Sequence, residues 1–162
     1  MSELTTATST NVLEQLKLMT GVVADSGDFT SMKKFTPQDA TTNPSLILKA
    51  AILPEYQHLV DDAISYSNKD NNHTQSEKLA IAMDKLSVNF GVEISKIVPG
   101  FVSTEVDARL SFDTNATIEK GRRLIELYKE MGIDKSRILI KVSLKNNVML
   151  LILHSVSLNA CC

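Results

Sequence analysis

Four polar residues in this 162-residue chain stand where apolar strands should end, and together they could do carbonyl chemistry. Lys141 closes the run Arg137-Ile138-Leu139-Ile140-Lys141-Val142, which reads as a strand buried on both faces. Lysine is rarely buried without compensation, which leaves two readings. Either its stem lies along the strand end and its ammonium reaches water, or it is a desolvated amine able to attack a carbonyl and form a Schiff base. Asp25 ends the aliphatic stretch Gly21-Val22-Val23-Ala24, just before Ser26-Gly27-Asp28, and suits an Asx turn or helix cap as well as proton transfer. Asn43 precedes Pro44 and fits either a helix N-cap or a ligand contact. Glu105 lies inside the strand pattern Phe101-Val102-Ser103-Thr104-Glu105-Val106-Asp107, where a carboxylate needs a partner or a task.

The stretches between these residues supply the elements that must position them. Asn11 with Glu14 resembles a capping arrangement ahead of a short helix with Leu13 and Leu16 on one face. Pro54 to Tyr66 carries Tyr56, Leu59, Val60, Ala63 and Ile64 at helical spacing, and a polar loop with a solvated His73 follows it. From Ser76, Leu79, Met83, Leu86, Phe90, Ile94 and Ile97 recur at steps of three and four until Pro99-Gly100, predicting a long helix with a core-packing stripe. Ser111 to Gly132 predicts another, with Ile118, Leu124, Ile125, Tyr128 and Met131 inward, Gly132 at C′, and Lys120, Arg122 and Arg123 on a solvated face. Strands alternating with helices argue for a parallel sheet with helical crossovers. In a (β/α) barrel the strand ends converge on one rim, so Asp25, Asn43, Glu105 and Lys141 would share a site. A lysine amine, two carboxylates that can exchange protons and an amide that can orient a hydroxyl are what Schiff-base carbon–carbon chemistry requires.

Composition narrows the class further. With 43% hydrophobic and 22% charged residues and a formal net charge of -2, the chain reads as soluble and globular, with no basic patch for nucleic acid and no membrane-surface helix. The length suits one domain with a sizeable core. The two cysteines, Cys161 and Cys162, are adjacent and cannot staple distant segments, so a reducing compartment is expected. The first residues carry no secretory pattern, and a cytoplasmic location follows as the expectation.

Several long blocks resemble the N-terminal half of transaldolase. They are Val22-Val23-Ala24-Asp25-Ser26-Gly27-Asp28, Pro37-Gln38-Asp39-Ala40-Thr41-Thr42-Asn43-Pro44-Ser45-Leu46-Ile47-Leu48, Pro99-Gly100, Ser103-Thr104-Glu105-Val106-Asp107-Ala108-Arg109-Leu110-Ser111 and Ile138-Leu139-Ile140-Lys141. The resemblance runs from about Val12 to Lys141. It implies an α/β chain holding about the first four strands of a (β/α)8 TIM barrel, and a reaction that needs neither metal nor cofactor. It further implies that Lys141 forms the Schiff base with a ketose donor, that Asp25 takes a hydroxyl proton in aldol cleavage, and that Glu105 activates the water of imine formation and hydrolysis. Asn43, with Thr41, would hold the dihydroxyacetone unit. The reaction so implied moves that unit from sedoheptulose 7-phosphate to glyceraldehyde 3-phosphate, a step of the pentose phosphate pathway, with sugar phosphates as the partners and no nucleic acid or membrane.

After Lys141 the resemblance gives way, where the family continues Ser/Thr-Trp-x-Gly-Ile and this chain reads Val142-Ser143-Leu144-Lys145-Asn146. The expected organisation is a flexible tail over 1–10, a partial barrel over 11–142 and a divergent tail over 143–162. A whole (β/α)8 barrel takes about 250 residues. The chain is therefore expected to be truncated, from a splice form or an incomplete gene model, and to be inactive alone. The run Val148 to Leu153 is far short of the roughly 20 residues a bilayer span needs, and suits packing on an open barrel edge or aggregation. Lipidation is not expected, because the prenylation pattern wants cysteine where Asn159 stands. The competing functional class is a non-catalytic fragment that binds a partner or self-associates through unpaired strand edges. A pyridoxal phosphate lysine is less well supported, since no Gly-rich phosphate cradle accompanies Lys141.

Overall fold

A computed structural model describes residues 11–142 and the pair 160–161. The tail expected over 1–10, and all of the one expected over 143–162 except Ala160–Cys161, lie outside the described residues. Local chemistry sets most helix starts. Asn11 accepts from the Glu14 amide and opens α1 (Val12–Met19), while Asp28 opens the short α2 (Phe29–Met32). Asn43 and Pro44 open α3 (Pro44–Ala51) as cap and first residue. A 3-10 turn over Pro54–Tyr56 leads into α4 (Gln57–Ser67). Thr74 and Glu77 make a reciprocal capping box at the head of α5 (Gln75–Ser95). Asp113 caps α6 (Thr114–Glu130), which starts later than Ser111 because Ala108–Leu110 is already wound into a 3-10 turn. Gly132 follows that helix at φ 79°, a conformation that suits glycine best.

The strands β1 (Val23–Asp25), β2 (Asp39–Thr41), β3 (Val102–Glu105) and β4 (Ile138–Lys141) pair side by side in chain order, all parallel. A two-residue strand, β5 (Ala160–Cys161), pairs parallel to β4. Helices pack on one face of this sheet. Ala40, Val102, Ile138 and Ile140 from the strands, with Val106 just after β3, join Ile47, Leu59, Val88, Phe90, Leu124 and Leu127 from the helices in one core. Sequential parallel strands with helices on a single face form an arc of a (β/α) barrel. The strand ending in Lys141 is therefore not buried on both faces, as the aliphatic run suggested. Ile138 and Ile140 are buried under the helices, whereas Leu139 and Lys141 are half-buried on the other, open face.

Two helical stripes also differ from expectation. On α5, Leu79 is 63% and Met83 44% exposed, and continuous burial begins only near Val88, where the helix lies over the sheet. The N-terminal half of α5 thus runs past the strand ends, beyond the layer its apolar spacing predicted it would join. On α6 Leu127 is fully buried, and Met131, which caps the helix's C-terminal end, is exposed. Lys120 is not on a solvated face, since its Nζ sits 2.7 Å from Asp84 Oδ2 and ties α6 to α5. Arg123 donates to the Tyr66 hydroxyl at 2.9 Å. His73 is half-buried, near Asp70 and Glu77.

The loop after β1 is held by a polar clamp. Asp28 accepts from the Ser31 amide (3.0 Å), the Ser31 hydroxyl (2.6 Å) and the Tyr56 hydroxyl (2.8 Å). Tyr56 is buried against Phe29 and Phe90, with ring centroids 4.5 and 5.5 Å away, and burial pushes its phenol up to about 12. The Ser31 and Tyr56 hydrogen bonds hold the Asp28 carboxyl below its ordinary range. A carboxylate depressed in the folded state contributes stability above its unfolded pKa and loses it as pH falls through the folded value. Asp28→Ala is expected to cost about 1–2 kcal/mol at pH 7, from the lost cap and the lost hydrogen bond of the Tyr56 hydroxyl, which keeps Thr30 as a partner. Chemical denaturation at pH 7 and below pH 4 checks this: the gap to the parent should narrow in acid.

Candidate active site

The register of the sheet decides which strand-end side chains share a face. Asp25 pairs with Thr41, Thr41 with Ser103 and Ser103 with Leu139, and two residues on Glu105 pairs with Lys141. Because strand side chains alternate, Asp25, Thr41, Ser103, Glu105 and Lys141 all belong to the open face, at the C-terminal ends of their strands. Asn43 follows Thr41 by two and continues that row as the chain leaves β2 for α3.

Glu105 and Lys141 are brought into direct contact, with Nζ 3.3 Å from Oε2. The Val106 amide donates to the Lys141 carbonyl at 2.9 Å, so the backbone fastens the strand ends at the same place. The lysine side chain is 36% exposed and the glutamate side chain 16%. Lys141 is thus partly open to water and does not lie in a dry core. Its ammonium rests on a carboxylate placed to exchange a proton with it.

Asp25 was open to a turn or cap role, and the fold gives the cap to Asp28 instead. Asp28 caps α2, whereas Asp25 is exposed and accepts no hydrogen bond among the described residues. Asn43 does cap α3, since its Oδ1 accepts from the Leu46 amide at 2.9 Å. Its Nδ2 keeps both donors without a partner among the described residues, so the cap reading and the ligand reading are compatible. Thr41 is half-buried between Asp25 and Ser103.

Ser103 is a site residue that sequence reasoning passed over. It is 5% exposed, and its hydroxyl finds no partner among the described residues. A buried unpaired hydroxyl is costly enough to call for a partner. The available signal was its spacing, two residues before Glu105 on the same strand.

Beyond β3 the rim opens into a cavity of about 460 Å³, bounded by Pro44, Met83, Glu105, Asp107, Arg109 and Lys120 among others. Asp107 holds Arg109 in a fork, with Nε 2.9 Å from Oδ2, and that hydrogen bonding keeps the Asp107 carboxyl below its ordinary range. Behind it, desolvation raises Asp84 in spite of Lys120. Among the described residues no three His, Cys, Asp or Glu side chains converge to hold a metal ion, and no helix is long and apolar enough to cross a membrane.

Residues 22–152 match the family model described as transaldolase/fructose-6-phosphate aldolase. A probable transaldolase of Dictyostelium discoideum and transaldolase A of Escherichia coli K12 are each 60% identical over 133 residues, or 82% of this chain. A transaldolase of Shewanella baltica is 59% identical over the same length. The chain spans 41% of the first of these relatives and 42% of the other two. A parallel sheet with helices on one face, a lysine at the end of one strand paired with a glutamate at the end of its neighbour, and identity at this level lead to one conclusion: the chain belongs to the transaldolase/fructose-6-phosphate aldolase family.

Proposed function

We propose that the open face carries the Schiff-base half of a transaldolase site, with Lys141 as nucleophile. The observation that supports it most directly is the Lys141–Glu105 contact of 3.3 Å between registered strand ends. Neutral Lys141 attacks the keto carbon of a ketose phosphate and forms a carbinolamine. Loss of water gives the imine, and Glu105 shuttles the protons of that step and of its reversal. Asp25 takes the proton from the hydroxyl next to the bond that breaks, and the electron pair of that bond is held by the imine as an enamine. An aldose phosphate leaves. The enamine then attacks the aldehyde of the acceptor, glyceraldehyde 3-phosphate, and hydrolysis frees the product. Asn43, through its Nδ2, and Thr41 orient hydroxyls of the dihydroxyacetone unit. The donor is sedoheptulose 7-phosphate.

The test is reductive trapping. Incubating the protein with fructose 6-phosphate and a borohydride reductant should add the mass of the reduced ketose, or of the reduced three-carbon unit left after cleavage, to the peptide containing Lys141. Labelling spread over exposed lysines, with none at Lys141, would reject the reading. Trapping accumulates even a sparsely populated imine, whereas turnover needs the whole cycle.

For a polypeptide of these 162 residues alone, we infer more than tenfold slower turnover than a complete transaldolase, because Asp25 is exposed and Lys141 one-third exposed. The outer edge of β1, which has no strand partner among the described residues, suits self-association. A coupled assay with light scattering on purified protein checks both statements. The family fits an enzyme acting on sugar phosphates in the cytoplasm.

A further inference from the structure

The helix-facing side of β3, continued by the residue just after it, reads Val102, Thr104, Val106, an apolar row with one hydroxyl in the middle. Thr104 Oγ1 lies 2.5 Å from the hydroxyl of Tyr128 on α6, and both residues are 0% exposed. Neither hydroxyl has another partner among the described residues. The Tyr128 ring reaches the strand across α5 at Gly91, where an added Cβ would overlap the phenol oxygen. Two helices and a strand therefore meet at one hydrogen bond inside an otherwise apolar layer that includes Val88, Leu124, Ile138 and Ile140.

Stability does not account for this arrangement. A buried neutral hydrogen bond contributes about 1 kcal/mol net, and replacing both partners by apolar groups of the same shape is often neutral. What the pair can supply is specificity. Strand side chains repeat every two residues, so a shift of β3 by two keeps an apolar row against the helices, with Val102 or Val106 in Thr104's place. Apolar packing discriminates such a shift poorly, whereas the Tyr128 hydroxyl does so sharply, because it would be buried without an acceptor. The same shift would put Ser103 or Asp107 opposite Lys141 in place of Glu105.

We propose that the Thr104–Tyr128 hydrogen bond is a register pin that holds Glu105 opposite Lys141. Thr104 and Tyr128 are thus positioning residues for the site. The catalytic consequence rests on the Schiff-base reading above, while the register claim stands by itself.

The experiment compares the parent, the double variant Thr104→Val/Tyr128→Phe and the conservative variant Thr104→Ser, which keeps a hydroxyl. Each is followed by thermal unfolding, residue-resolved amide exchange and reductive trapping with fructose 6-phosphate. The double variant should stay folded, with Tm within about 3 °C of the parent. Its Val106 amide, which donates to the Lys141 carbonyl, should exchange at least tenfold faster, and trapping at Lys141 should slow at least tenfold. Thr104→Ser should behave like the parent. Unchanged Val106 exchange in the double variant would overturn the pin. So would exchange that rises equally at all β3 and β4 amides together with a fallen Tm, since that marks a purely structural role. Faster Val106 exchange with unchanged trapping would overturn the positioning claim. A parent with no trapping at Lys141 would overturn the Schiff-base reading and the positioning claim with it, and Val106 exchange would then decide the pin alone.

Discussion

Lys141→Arg is expected to abolish covalent trapping at this position, a loss of at least about a thousandfold, because guanidinium stays protonated at any accessible pH and offers no lone pair to a carbonyl. The fold should survive. Lys141 ends its strand with the side chain 36% exposed, and an arginine there keeps a cation against Glu105. Circular dichroism and Tm should therefore match the parent while the labelled peptide disappears from the mass spectrum. Ketose-derived mass at the same rate in Lys141→Arg would place the nucleophile elsewhere. Exposed lysines such as Lys33, Lys34 and Lys49 provide an internal baseline, since their slow background labelling should not change.

The second large effect is expected at Glu105. Glu105→Gln keeps shape and hydrogen-bonding capacity but removes the group that accepts and returns protons, so trapping should slow by about a hundredfold or more. Stability should barely move, because an ion pair in which the lysine is one-third exposed is worth about 0–1 kcal/mol. A kinetic loss without a thermal one separates a chemical role from a packing role. If Glu105→Gln labels Lys141 at the parent's rate, the carboxylate is only a counter-ion, and proton transfer in the imine steps must be assigned to another group. Comparison with Asp25→Asn separates the steps, because Asp25 is assigned to bond cleavage, which trapping does not require.

The sequence was legible wherever a signal acts within one turn or along one strand. Asn11 with Glu14 and Asn43 with Pro44 each named a helix start that the structure shows. The alternation through β3 placed Glu105 on a strand, and the strand–helix order gave the parallel sheet. Since parallel strands share a direction, their C-terminal residues had to gather at one rim, and that put Asp25, Asn43, Glu105 and Lys141 in one neighbourhood.

The sequence did not carry facts that depend on segments meeting from far apart. Burial is one case. Leu79 and Met83 have the spacing of a core stripe, yet they are exposed because α5 outruns the strands it packs on, and strand length is not encoded in the helix. Lys120 has the look of a solvated charge, yet Asp84, 36 residues away, draws it into a bridge. Assignment between neighbours is another: the sequence offered Asp25 as a turn or cap residue, yet the approach of Tyr56, 28 residues away, adds to the local cap at Asp28, while Asp25 accepts no hydrogen bond among the described residues.

The residue types and the strand ends they occupy were thus determined by the chain itself, through local propensity and the two-residue and 3.6-residue periods. That Glu105 faces Lys141, that Ser103 lies buried without a partner among the described residues, and that Thr104 meets Tyr128 over Gly91 were decided by tertiary structure alone. The physical reason is that lateral register and close approach are set by the packing of α5 and α6 on the sheet, which no short window of sequence contains.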